Sequence, residues 1–143
     1  MAEGRTDHMD AAALQATLDQ IAAEYVKRLC LRVQTVAPGE VTLTLPVSPD
    51  LVHAGGVLCG QAIMSAADTA MLLAMIAQLG EFQPMTTVQL QTSFVRPVPK
   101  DAGSIRVIAR VRRFGKSLSY GDVEFMTSDD RLAAHATTTY ARI

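Results

Sequence analysis

From Gln61 to Leu79 the chain reads QAIMSAADTAMLLAMIAQL, a run with a single charge, Asp68. Ala, Leu and Met dominate it, all strong helix formers, and Gly60 and Gly80 flank it where a helix can start and stop. The spacing predicts one helix over Gln61–Leu79. Apolar residues fall on every side of that helix rather than along one stripe, so it must be wrapped either by its own protein or by lipid. Asp68 then sits where a carboxylate is costly.

The run is about as long as the ~20 apolar residues that a bilayer span requires. An Asp at the centre of a span costs about 2.5 to 3.5 kcal/mol, however, and no Lys or Arg cluster stands beside either end. A sheet wrapped around the helix accounts for the same residues without that cost, so no membrane association is expected. The net charge of −1, from 13 basic and 14 acidic residues, lacks the basic excess of a nucleic-acid or anionic-membrane surface. A chain of 143 residues suits one domain with a real core. Cys30 and Cys59 form neither a CxxC nor a zinc spacing, which predicts a reduced, cytoplasmic protein. Met1 to Met9 is polar, contains His8 and lacks the apolar centre of a signal peptide, so residues 1–9 are expected to be a flexible tail and residues 10–143 the single domain.

Along that domain, Leu14, Leu18 and Ile21 predict an amphipathic helix over Asp10–Glu24. Tyr25–Val36 and Val41–Leu45 read as two strands joined at Pro38-Gly39, and Asp50–Cys59 as a loop leading into the central helix. Thr86–Val95 alternates with period two, as does Ile105–Arg112. Turns at Phe114-Gly115-Lys116 and Ser128-Asp129-Asp130 bound the strands Leu118–Thr127 and Leu132–Ala141, making the last three strands an antiparallel meander. The expected class is α+β, an antiparallel sheet of five or six strands whose concave face wraps one long central helix.

This layout, with the phrase GVLCGQAIMSAADTAM from Gly56 to Met71 and the strand TTVQLQTSFVRPV from Thr86 to Val98, resembles the hotdog-fold acyl-CoA thioesterases of the PaaI-like, phenylacetate-pathway group. The resemblance runs from about Asp10 to the end of the chain. It implies that Asp68 is the helix carboxylate that acts on water or directly on the thioester carbonyl. It further implies that the backbone N–H of Gly60 meets the substrate oxygen and that the Thr87 hydroxyl helps hold water near the carboxylate. His53 takes a position that is usually Asn in that family, and Cys59-Gly60-Gln61 stands where His-Gly-Gly is common. Gly55, Gly56, Cys59, Gln61 and Thr86 are the neighbouring substrate-binding positions. Coenzyme A would enter as part of the substrate, with no separate cofactor, and the assembly would be a homodimer, with pairing into a homotetramer.

Each residue type suits that chemistry and also has a plainer role. Thioester hydrolysis puts negative charge on the carbonyl oxygen, and a free N–H at a helix start offers both a donor and the positive end of the helix dipole. Gly60 allows close approach, or is merely a turn before the helix. Asp68 would be a general base or nucleophile, or a partner to some buried donor. His53 could orient water or bond within its own loop, Thr87 could be a sheet-surface residue, and His135 reads as structural. Arg96, Arg112, Arg113 and Lys116 could receive the phosphates of a CoA nucleotide, or be solvated charges at strand edges. No His or Cys pairs with a carboxylate at a metal spacing, so no metal is expected.

One constraint comes from geometry. Asp68 follows Gly60 by eight residues, about 12 Å along a helix, too far for both to hold one carbonyl group. Two copies paired about a two-fold, with central helices antiparallel, would bring the Asp68 of one to the Gly60 of the other and create two composite sites. The function that the resemblance implies is acyl- or aryl-acyl-CoA hydrolysis to free acid and CoA. The alternatives are a hotdog hydratase or dehydratase using His53 with Asp68, and a non-catalytic acyl-CoA-binding module.

Overall fold

The apolar run is the central element of the computed structural model, which describes residues 9–143. The proposed tail, including His8, lies outside the described residues except for Met9, which packs against the core. In chain order the elements are α1 (Ala11–Ile21), α2 (Glu24–Lys27), β1 (Arg32–Ala37), β2 (Glu40–Pro46), a 3-10 turn (Pro49–Leu51), α3 (Gly60–Leu79), β3 (Met85–Phe94), β4 (Ser104–Arg113), β5 (Leu118–Met126) and β6 (Leu132–Arg142). They form one antiparallel six-stranded sheet, in the order β1-β2-β4-β5-β6-β3, around α3. This is the hotdog arrangement.

α3 is long and apolar enough to cross a membrane, but two-thirds of that stretch is buried inside the protein's own core. The sheet presents period-two residues to it: Val41, Leu43 and Leu45 from β2, Ile105, Val107 and Ala109 from β4, Val123 and Phe125 from β5, and Ala134, Ala136 and Tyr140 from β6, all buried. Helix and sheet are in close contact at Gly121, where a Cβ would stand 2.4 Å from the Arg110 carbonyl oxygen and 2.7 Å from Met71 Sδ. The helix ends at Gly80 in the left-handed conformation (φ 84°), a terminator that favours glycine.

The N-terminal segment departs from the expected pattern. α1 is capped by Asp10, whose carboxylate accepts from the Ala13 N–H at 2.8 Å, and it stops at Ile21 rather than Glu24 because Ala22 and Ala23 are extended. Tyr25–Val36, expected as a strand, is instead helical through Tyr25–Lys27, turns at Cys30 (φ 56°) and becomes β1 only at Arg32. Val26 and Leu29 are three residues apart, so one turn of helix puts both against the core, whereas a strand would send them to opposite faces. In β1 the register slips at Gln34, which lets Val33 and Val36 face the same side.

β3 follows α3 but does not pair with β4. It crosses to the far edge and pairs with β6, leaving its other edge free within the chain. A bulge at Val88 breaks its alternation: Thr87 pairs with Tyr140 and Gln89 with Thr139, so Val88 is the extra residue and lies more than half exposed.

Candidate active site

Asp68 is half-buried near the middle of α3, where the helix lies against β3 and β6. Two hydroxyls donate to its Oδ1: Thr87 Oγ1 from β3 at 2.6 Å and the Tyr140 phenol from β6 at 2.5 Å. The phenol oxygen also lies 2.7 Å from the Asp68 backbone carbonyl. The bulge at Val88 leaves Thr87 opposite Tyr140, so the two donors arrive from adjacent strands. Burial and the charge of Asp68 push the Tyr140 phenol far above the usual tyrosine range, so it remains a donor. Hydrogen bonds to an ionised oxygen are short and strong, and two on Oδ1 fix the carboxylate plane.

Tyr140 is absent from the sequence-based site, although a signal for it exists. It shares the inward face of β6 with Ala134, Ala136 and Thr138, and a buried phenol requires a partner. In the apolar helix that this face covers, the charged side chain is Asp68.

Gly60 opens α3, with Cys59 as the N-cap; Cys59 makes no side-chain capping bond, and its own N–H donates to the Leu51 carbonyl at 2.8 Å. The first turn thus carries no side-chain cap, and Gly60 lines a cleft of about 320 Å³ with Leu58, Ile63, Phe94, Arg96 and Val98. A Cβ on Gly60 would approach Phe94 Cζ to 3.3 Å. Asp68 lines a different cavity, and the two share no lining residue. Within one chain the structure brings Thr87 to Asp68 but not Gly60.

The His53 ring folds back on its own loop, Nδ1 accepting from the Gly55 N–H at 2.8 Å, and a Cβ on Gly55 would stand 2.7 Å from the ring. Gly56 is left-handed (φ 81°) and half-buried, with nothing within 4 Å of where a Cβ would stand, and Gln61 and Thr86 are exposed. Arg96 borders the Gly60 cleft and donates to the Leu132 carbonyl at 2.6 Å. Arg112 is engaged by Asp122, Nε to Oδ1 at 2.8 Å, while Arg113 and Lys116 are exposed beside the β4–β5 turn. Arg142 braces that turn by donating to the Gly115 and Lys116 carbonyls at 2.9 and 2.7 Å, with its guanidinium 4.7 Å from the Phe114 ring. His135 Nε2 lies 3.1 Å from Asp122, a structural contact. Among the described residues no three His, Cys, Asp or Glu side chains gather as a metal site would require.

Residues 55–134, more than half of the chain, match the family described as the thioesterase superfamily. A protein of Thermoplasma volcanium named "Putative esterase TV1331" is 28% identical over 116 residues, covering 81% of this chain and 85% of its own. Among solved structures, the Escherichia coli PaaI protein from the phenylacetic acid degradation operon superposes with a TM-score of 0.81 at 22% identity, covering 93% of each chain. Thioesterase HI1161 of Haemophilus influenzae gives 0.83 at 19% identity, covering 94% of this chain and 91% of its own. With a family match over this stretch and a hotdog fold shared with PaaI, the chain belongs to the thioesterase superfamily, and the chemistry its site has to explain is thioester hydrolysis.

Proposed function

We propose that the protein hydrolyses acyl-CoA thioesters to free acid and CoA in sites shared by two copies of the chain. The observation that carries this reading is the arrangement at Asp68, where Thr87 and Tyr140 both donate to Oδ1 and leave Oδ2 to act. Oδ2 takes a proton from water as the water oxygen bonds to the thioester carbon, or it bonds to that carbon itself. Negative charge then develops on the carbonyl oxygen and is met by the Gly60 N–H of the second copy. When the C–S bond breaks, the sulfur leaves with the electron pair and takes a proton, the one Asp68 drew from water or, on the covalent route, one from solvent, so that CoA departs as the thiol. On the covalent route a water then cleaves the acyl–Asp68 anhydride, releasing the acid and the free carboxylate.

The need for a second copy follows from the separate cavities of Asp68 and Gly60. The pairing surface we favour is the free edge of β3 together with the outer side of α3. Val88, Phe94 and Val95 are each more than half exposed there, Met64 is also exposed, and an unpaired strand edge is a template for another chain. A two-fold across it yields two equivalent sites, and further pairing to a tetramer belongs to the same proposal. Arg96, Arg113 and Lys116 are the cations we assign to the CoA phosphates; Arg112 could join them only by leaving Asp122. The free thiols of Cys30 and Cys59 accord with a reducing, cytoplasmic setting.

Thiol release from a panel of acyl-CoAs tests this reading. Stoichiometric release of CoA and acid is expected. Loss of enoyl-CoA absorbance without thiol, or binding without turnover, would replace it with a hydratase or a binding module.

A further inference from the structure

A cavity of about 170 Å³ opens beside Asp68, between α3 and the corner where α1 meets α2. Its walls are Leu18, Ile21, Ala22, Val26 and Leu72. Its polar side chains are Asp68, Thr69 and Tyr140, and both hydroxyls are already committed: Thr69 donates to the Ser65 carbonyl at 2.9 Å and Tyr140 to Asp68. From this geometry we infer that the α1–α2 corner is the acyl pocket and that the preferred acyl group is unsubstituted, apolar and about the size of a six-carbon unit. This rests on the thioesterase reading above.

The carbon under attack must lie within reach of Asp68, about 3 to 3.5 Å, so the acyl group begins there. The CoA arm must run toward solvent, and the apolar volume next to the carboxylate is left for the acyl group. A cavity of about 150 Å³ holds benzene, which sets the size. A hydroxyl on the acyl group would find no free donor among these walls, and a carboxylate would also meet the charge of Asp68. The short helix α2, where a strand was expected, is what turns Val26 into this wall.

The test uses the full chain and acetyl-, hexanoyl-, benzoyl-, decanoyl- and 6-hydroxyhexanoyl-CoA. For the wild type, kcat/KM should rise at least ~10-fold from acetyl to hexanoyl or benzoyl, gain nothing further with decanoyl, and fall at least ~10-fold with the terminal hydroxyl. Val26→Phe, which fills the cavity, should lower the hexanoyl-to-acetyl ratio of kcat/KM at least ~10-fold, and Val26→Ala should shift the optimum to a longer chain. An unchanged ratio in folded Val26→Phe overturns the pocket assignment while leaving hydrolysis intact. Binding supplies a readout independent of turnover: hexanoyl-CoA added to Asp68→Asn protein should perturb the methyl resonances of Leu18, Ile21, Val26 and Leu72. Perturbation at Leu58, Ile63 and Val98 instead, or at neither set, overturns the assignment even if the protein proves not to be a hydrolase.

Discussion

The Tyr140 phenol donates to Asp68 at 2.5 Å across 72 residues of sequence, joining the last strand to the middle of the central helix. Thr87 reaches the same carboxylate oxygen at 2.6 Å. A donor to a charged group contributes about 1.5 to 3 kcal/mol, so Tyr140→Phe should lower kcat ~10-fold to ~100-fold with a smaller change in KM. Thr87→Val should act in the same direction. Because both donate to one oxygen, the double variant should deviate from the product of the single effects, as a kinetic double-mutant cycle would show. Strict independence would mean that the two hydroxyls do not act through Asp68.

Asp68→Asn keeps the shape and the acceptor for both hydroxyls but removes the charge. Turnover should drop at least ~10²-fold, typical of a lost general base, with the fold retained by circular dichroism. A folded variant with normal turnover rules out Asp68 as the reacting group.

Complementation tests the shared site. Gly60→Pro removes the backbone N–H at a helix position where proline is tolerated, and the half-exposed Phe94 ring can yield to the added atoms. Alone, this variant and Asp68→Asn should each be inactive dimers. Co-refolded in equal amounts they should recover roughly a quarter of wild-type activity, since about half the dimers are mixed and each mixed dimer has one intact site. Heterodimers that form without activity would refute a site built from two copies.

Tyr140 also predicts an optical titration. Its phenol is held far above the ordinary tyrosine range by burial first and the Asp68 charge second, so one tyrosinate step should appear only at strongly alkaline pH or on unfolding. The raised value means that the linked stability is present below the ordinary tyrosine pKa and is lost as pH climbs through the folded one. Tyr140→Phe should abolish that step in the ultraviolet titration; its survival would assign it elsewhere.

At acidic pH the sign reverses at Asp122. Burial would raise its pKa, but the hydrogen bonds from Arg112 and His135 outweigh it and hold the carboxyl below the usual aspartate range. The contribution is therefore present above the ordinary aspartate pKa and lost as pH falls through the depressed folded value. Asp122→Asn should flatten the acid limb of a Tm-versus-pH curve. An unaltered limb would show that this cluster does not govern acid stability.

Local pattern was enough for the central helix and for most of the strands, and it singled out two candidate residues whose surroundings are peculiar in sequence, Asp68 as a lone charge and Gly60 at a helix start. The β4–β5–β6 meander was legible too, because each strand needs only its neighbour across a short turn. α2 was not: Tyr25 to Leu31 is apolar enough for a strand, and only the core against which Val26 and Leu29 pack selects the helical turn. The pairing of β3 with β6, its bulge at Val88 and the meeting of Thr87 and Tyr140 on Asp68 join residues far apart along the chain. Periodicity assigns a residue to a face of its own element but carries no information on which distant element lies opposite. That choice is made by closure of the sheet around α3, which brings two hydroxyls to the helix carboxylate.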